Sequence, residues 1–138
     1  MLGKFCIGLA TLMGVLAIGN GLFMLYSPVN WYFAVPGVTT TGPFNQHFIR
    51  DIGLIFLFVG TAYLTGVASP VFRPVLWAAP SLWLAAHALF HFWEVAVGIC
   101  GPSALLRDFP AVTLPATLGL LISAGAIAER RNADVAAR

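Results

Sequence analysis

Residues 5–26, FCIGLATLMGVLAIGNGLFMLY, contain no charged side chain. About 20 such residues carry an α-helix across the hydrocarbon core of a bilayer, at 1.5 Å per residue. In lipid the backbone must satisfy its own N–H and C=O groups, so a crossing segment is a helix or part of a closed barrel. The run is long, continuous and rich in Leu and Ala, which rules against a strand. It is therefore expected to be a transmembrane helix. Lys4 ahead of an apolar run resembles a signal peptide, with Ala17-Ile18-Gly19 as a cleavage site. The apolar stretch continues to Tyr26, long for a signal, so the span is expected to be retained.

Three more stretches read the same way. They lie at 45–67 (with IGLIFLFVGTAYLTGV), 75–98 (VLWAAPSLWLAAHALFHFWEVAVG) and 111–128 (AVTLPATLGLLISAGAIA). The expected fold is all-α: a four-helix transmembrane bundle, one domain across the 138 residues. The totals agree. The chain is 59% hydrophobic and 9% charged, with a mean hydropathy of +0.89. Soluble domains carry about 25% charge. The net charge of +2 is small and scattered, which excludes nucleic acid as a natural partner.

Basic residues set the orientation. With the N-terminus inside, Lys4, Arg73, Arg130, Arg131 and Arg138 are cytoplasmic, while Arg50 and Arg107 lie outside, each beside an aspartate. Both termini are thus expected in the cytoplasm. SPVFRP is a short turn that makes the second and third spans antiparallel neighbours. The first outer loop carries Trp31, Tyr32 and Phe33, suited to the headgroup layer. Gly42-Pro43 is expected to open the second helix, and TTTG at 39–42 to form a turn. ICGPSALLRDFP holds a short interfacial turn, and ERRNADVAAR is a frayed polar tail. Pro80 and Pro115 are expected to kink their helices. Cys6 and Cys100 fall at opposite faces, too far apart to be bridged, and read as free thiols.

HALFHFWE, residues 87–94, interrupts the apolar pattern. His87, His91 and Glu94 fall at i, i+4 and i+7, on one helix face. Trp83 and Pro80 extend that stripe. Charged groups inside a span are costly and face protein or water. The second span offers His47 and Asp51, again at i, i+4, with Arg50 beside them. Counting from the outer end, Asp51 lies roughly 9 Å deep, Glu94 roughly 6 Å and His91 roughly 10 Å. Asn20 and Asn45 add amides nearby. Three chemistries fit this set. A metal site would use the histidines and carboxylates as ligands for zinc, iron or copper. An acid–base or ligand site would meet a lipid-soluble molecule from the bilayer. A structural network would bond the helices together. Bis-histidine haem between His47 and His91 has no other support. Arg107-Asp108 reads as an interfacial ion pair.

SPVNWYFAVPGV, TGPFNQHFIRDIG and HALFHFWE together resemble small bacterial four-helix membrane proteins, loosely of the DoxX group. The likeness runs from Gly21 to about Gly98. It implies a multi-pass protein of the bacterial inner membrane. The quinone and sulfur redox chemistry linked to DoxX relatives has no motif here that would fix it. The expectation is a periplasmic-side site of His47, Asp51, His87, His91 and Glu94, with Arg50 as charge partner and Trp83, Asn20 and Asn45 lining it. The alternative is an accessory subunit of a larger membrane complex or homo-oligomer, in which the same residues lock helices.

Overall fold

The computed structural model describes residues 2–137; Arg138 lies outside them. Its helices are α1 (Leu2–Tyr26), α2 (Pro28–Ala34), α3 (Val38–Thr41), α4 (Gln46–Ala68), α5 (Arg73–Ala96), α6 (Ser103–Asp108) and α7 (Leu114–Ala136). A π-helical turn, Phe109–Thr113, joins α6 to α7. Four helical stretches are long and apolar enough to cross a membrane: Gly3–Tyr26, Gln46–Ala68, Arg73–Ala96 and Ser103–Ala136. The all-α bundle expected from hydropathy is thus present, and its apolar faces suit a bilayer.

The long helices close a ring. α1 lies along α4, α4 meets α5, α5 packs on α7, and α7 returns to α1. Both ends of the described chain and the α4–α5 turn share one end of the bundle, here the terminal end. α2, α3 and α6 cover the other, the loop end.

Glycines set the α1–α4 contact. A Cβ on Gly60 would lie 2.6 Å from the Gly14 carbonyl oxygen, and one on Gly21 2.7 Å from that of Gly53. Gly14 and Gly21 are seven residues apart, as are Gly53 and Gly60, so one antiparallel register satisfies both pairs. Small residues let membrane helices approach closely where no hydrophobic force separates lipid from protein.

Hydroxyls join the other three helices. Tyr63 Oη lies 2.8 Å from Ser81 Oγ, which lies 2.9 Å from Ser123 Oγ. Each serine also reaches its own helix, at Trp77 O (2.6 Å) and Gly119 O (2.8 Å). Three hydroxyl hydrogens can fill three of these four contacts at a time, all in the buried core. The Trp77 indole N–H donates to Tyr63 O at 3.1 Å, adding a second α4–α5 link. Ser81 is the hub, so Ser81→Ala should cost about 1–2 kcal/mol, since it leaves Tyr63 Oη without its partner. Unfolding in mixed micelles measures this, and Ser123→Ala, which removes an outer link, should cost less.

Local differences from the sequence reading have plain causes. α4 opens at Gln46 rather than at Pro43, because the Asn45 side chain accepts the Phe48 N–H at 3.1 Å and caps the helix. α7 runs to Ala136 instead of fraying after Ala128, with Arg130 and Asp134 paired at 3.3 Å along one face. At Pro115, which has no N–H, the register slips beforehand: the Leu114 N–H reaches back to Phe109 O. Tyr32 is buried against the protein, its hydroxyl donating to Gly42 O at 2.7 Å. Cys6 and Cys100 are free, as expected.

Candidate functional site

α5 places Trp83, His87 and His91 in a row. The His87 ring stacks on Trp83, with centroids 5.3 Å apart and planes 5° from parallel. His91 meets His87 edge-on at 4.8 Å. Phe56 of α4 meets Trp83 edge-on, with centroids 5.6 Å apart. The i, i+4 spacing thus does bring the two histidines onto one face.

Their polar partner comes from α6. His91 Nδ1 lies 3.0 Å from Asp108 Oδ2. Arg107 holds the same carboxylate in a fork, Nε to Oδ1 at 2.6 Å and Nη2 to Oδ2 at 3.1 Å. Asp108 is the most enclosed of the three, its side chain 12% exposed against 24% for His91 and 31% for Arg107. The other face of Arg107 lies against Gly37, in the left-handed region at φ +89°. A Cβ there would run into the guanidinium, so the position favours glycine twice over. One carboxylate therefore ties the end of α5 to the second connection, and through Arg107 to the first. His91, Glu94, Cys100 and Asp108 line one recess of about 10 Å³, with Thr113 at its wall. That is room for about one water.

The residues expected from α4 lie elsewhere. His47 Nε2 pairs with Asp51 Oδ2 at 3.1 Å, but the two side chains are 89% and 55% exposed. The buried stripe of α4 runs through Ile49, Gly53, Gly60 and Tyr63. At 100° per residue, His47 and Asp51 each stand about 200° from Ile49 and so face outward. None of the described hydrogen bonds or ion pairs links them to His87, His91 or Glu94. Arg50 joins none of the described ion pairs either. Its Nε donates to Leu25 O at 3.2 Å, satisfying a carbonyl at the open end of α1.

The expected amides are also occupied structurally. Asn20 accepts the Trp31 indole N–H at 2.9 Å and so docks α2 onto α1, while Asn45 is the α4 cap. Glu94 lines the recess but joins none of the described ion pairs. Among the described residues, no three His, Cys, Asp or Glu side chains converge as a ligand set. Asp108 and Arg107 were read from the sequence as an interfacial ion pair, and the two are paired. What spacing could not reveal is the third member, His91.

No protein-family model, curated protein or solved structure matches the chain.

Proposed function

We propose that the protein is a non-enzymatic integral membrane protein, an accessory subunit of a larger membrane complex, whose polar cluster is a clasp rather than a reaction centre. The observation that carries this reading is the Asp108 carboxylate. It is held by His91 and by the Arg107 fork, and Arg107 rests on Gly37. Its strongest charge-assisted bonds therefore fasten the loop end of the bundle. The adjoining recess has the volume of about one water, which does not suit an organic substrate. The lipid-facing sides of the four spans and the short connections leave little mass outside the bilayer, as suits a subunit that works through helix contacts. By the excess of Lys and Arg at the terminal end, that end lies in the cytoplasm and the clasp on the outer side of a bacterial inner membrane.

One observation favours a second reading, a transition-metal site. His91, Glu94, Cys100 and Asp108 line a single recess; as they stand they do not converge as a ligand set, but their nitrogen, oxygen and sulfur donors are of the kinds that zinc, iron or copper take. Holding an ion would require Asp108 to turn from Arg107 toward the recess.

Metal analysis separates the two. The clasp reading expects protein purified with zinc, copper or iron present to hold well under one equivalent. It also expects His91→Ala to melt earlier with no change in metal content. One equivalent of metal, lost in His91→Ala and in Cys100→Ser, would overturn the clasp in favour of the metal centre. The subunit role is tested separately, by whether the tagged chain purified in mild detergent carries the same partner at fixed stoichiometry. A bare monomer there would overturn it.

A further inference from the structure

The terminal end of the bundle holds a groove of about 220 Å³ between the α4–α5 turn and the last turns of α7. Pro70 and Val71 form one wall, Ala126 and Ala133 the other, and Arg73 and Arg130 supply the charge. The volume falls below the roughly 300–1,000 Å³ of drug-sized pockets and suits a phosphate with its ester groups.

Arg73 is fixed before any ligand arrives. Its Nε donates to Gly66 O at 3.0 Å and its Nη2 to Val67 O at 3.1 Å. The guanidinium also sits 5.3 Å from the Trp77 ring centroid, and the side chain is 13% exposed. Nη1 is left with a single loose contact, Glu129 Oε2 at 3.9 Å. Glu129 reaches the other way with Oε1, which packs over Gly3 of α1. Arg130 also lines the groove, with its Nε 3.3 Å from Asp134 Oδ1. Two cations thus line a space with one carboxylate, Glu129, whose Oε2 holds Arg73 only loosely and whose Oε1 lies toward α1.

The groove also sits at the right level. α7 is apolar up to Ala128 and then reads ERRN, so Arg130 marks the passage from hydrocarbon to headgroup. Val71 and Ile127, beside the groove, are exposed apolar side chains available to an acyl chain. Basic pockets between spans on the cytoplasmic side are where anionic lipid headgroups bind. We infer that this groove binds an anionic glycerophospholipid, its phosphate between Arg73 and Arg130 and its acyl chains along α7.

The test uses the full chain in detergent, with native mass spectrometry and melting as readouts. The probes are phosphatidylglycerol, phosphatidylethanolamine, phosphatidylcholine and inorganic phosphate. Phosphatidylglycerol should be retained best and should raise the melting temperature most. Arg130→Gln should weaken its retention about fivefold, the usual contribution of one cation at an anionic surface. Glu129→Gln should strengthen it, because a repelling carboxylate is removed. Either variant leaving retention unchanged would overturn the proposal, as would equal retention of phosphatidylcholine. Weaker lipid binding in Glu129→Gln would point instead to a zwitterionic headgroup whose ammonium needs the carboxylate. Equal protection by inorganic phosphate would make this a free-anion site, not a lipid site. Arg130 is half-exposed, so its variant is expected to fold.

Discussion

Gly60→Leu should cost about 3 kcal/mol or more, enough to leave little folded protein, while Gly19→Leu in the same helix pair should change stability by less than about 0.5 kcal/mol. The contrast follows from what a side chain would meet. At Gly60 even a Cβ would lie 2.6 Å from Gly14 O and 2.9 Å from the Ile18 backbone nitrogen. Those are backbone atoms, and no rotamer change moves them, so the helix axes must separate. Separation then also loosens the Gly21–Gly53 contact seven residues away, because both pairs share one register. At Gly19 nothing lies within 4 Å. Unfolding by SDS titration, followed by tryptophan fluorescence, reads both variants. Equal losses at the two positions would mean that close approach is not what holds α1 to α4.

The four spans were legible because length and hydropathy suffice to define a membrane crossing. Which glycines of α1 meet α4 was not legible, since only the partner helix decides which of Gly14, Gly19 and Gly21 faces it. The candidate site was half legible. The shared face of His87 and His91 follows from the 100° step of a helix. Matching depth then pointed to Asp51, and this failed for a definite reason: depth fixes height along a helix, not rotation about it. The rotation of α4 was readable in principle, since Ile49, Gly53, Gly60 and Tyr63 form an apolar and small-residue stripe that His47 and Asp51 avoid. Asp108 was not readable as a partner of His91. It arrives because the second connection coils into α6 and feeds through a π-helical turn into α7, and no residue spacing encodes that path. The Tyr63–Ser81–Ser123 node escaped for a similar reason. Each hydroxyl is unremarkable within its own span, and only three-helix packing brings them together.

Asp108→Asn should lower stability by about 2–3 kcal/mol, while Asp51→Asn should have no measurable effect. The side chain keeps its shape in both, so only charge and bonding change. At Asp108 the neutral amide no longer balances Arg107, and its NH2 end offers a donor where the carboxylate offered an acceptor. A fully buried pair would lose about 3–5 kcal/mol on such a break, and the partial exposure of Arg107 and His91 reduces that. Among the described ion pairs Asp51 meets only His47, and both side chains are exposed enough for the pair to be screened. A second readout locates the damage. Cys100 lines the recess beside Asp108, whereas Cys6 sits on α1 near Gly125 at the opposite end. Releasing the clasp should therefore speed labelling of Cys100 by a thiol reagent and leave Cys6 unchanged. Faster labelling of both would signal general unfolding rather than opening of the loop end. A loss at Asp51 as large as that at Asp108 would return the functional cluster to α4, against the outward rotation that sets His47 and Asp51 apart from the row on α5.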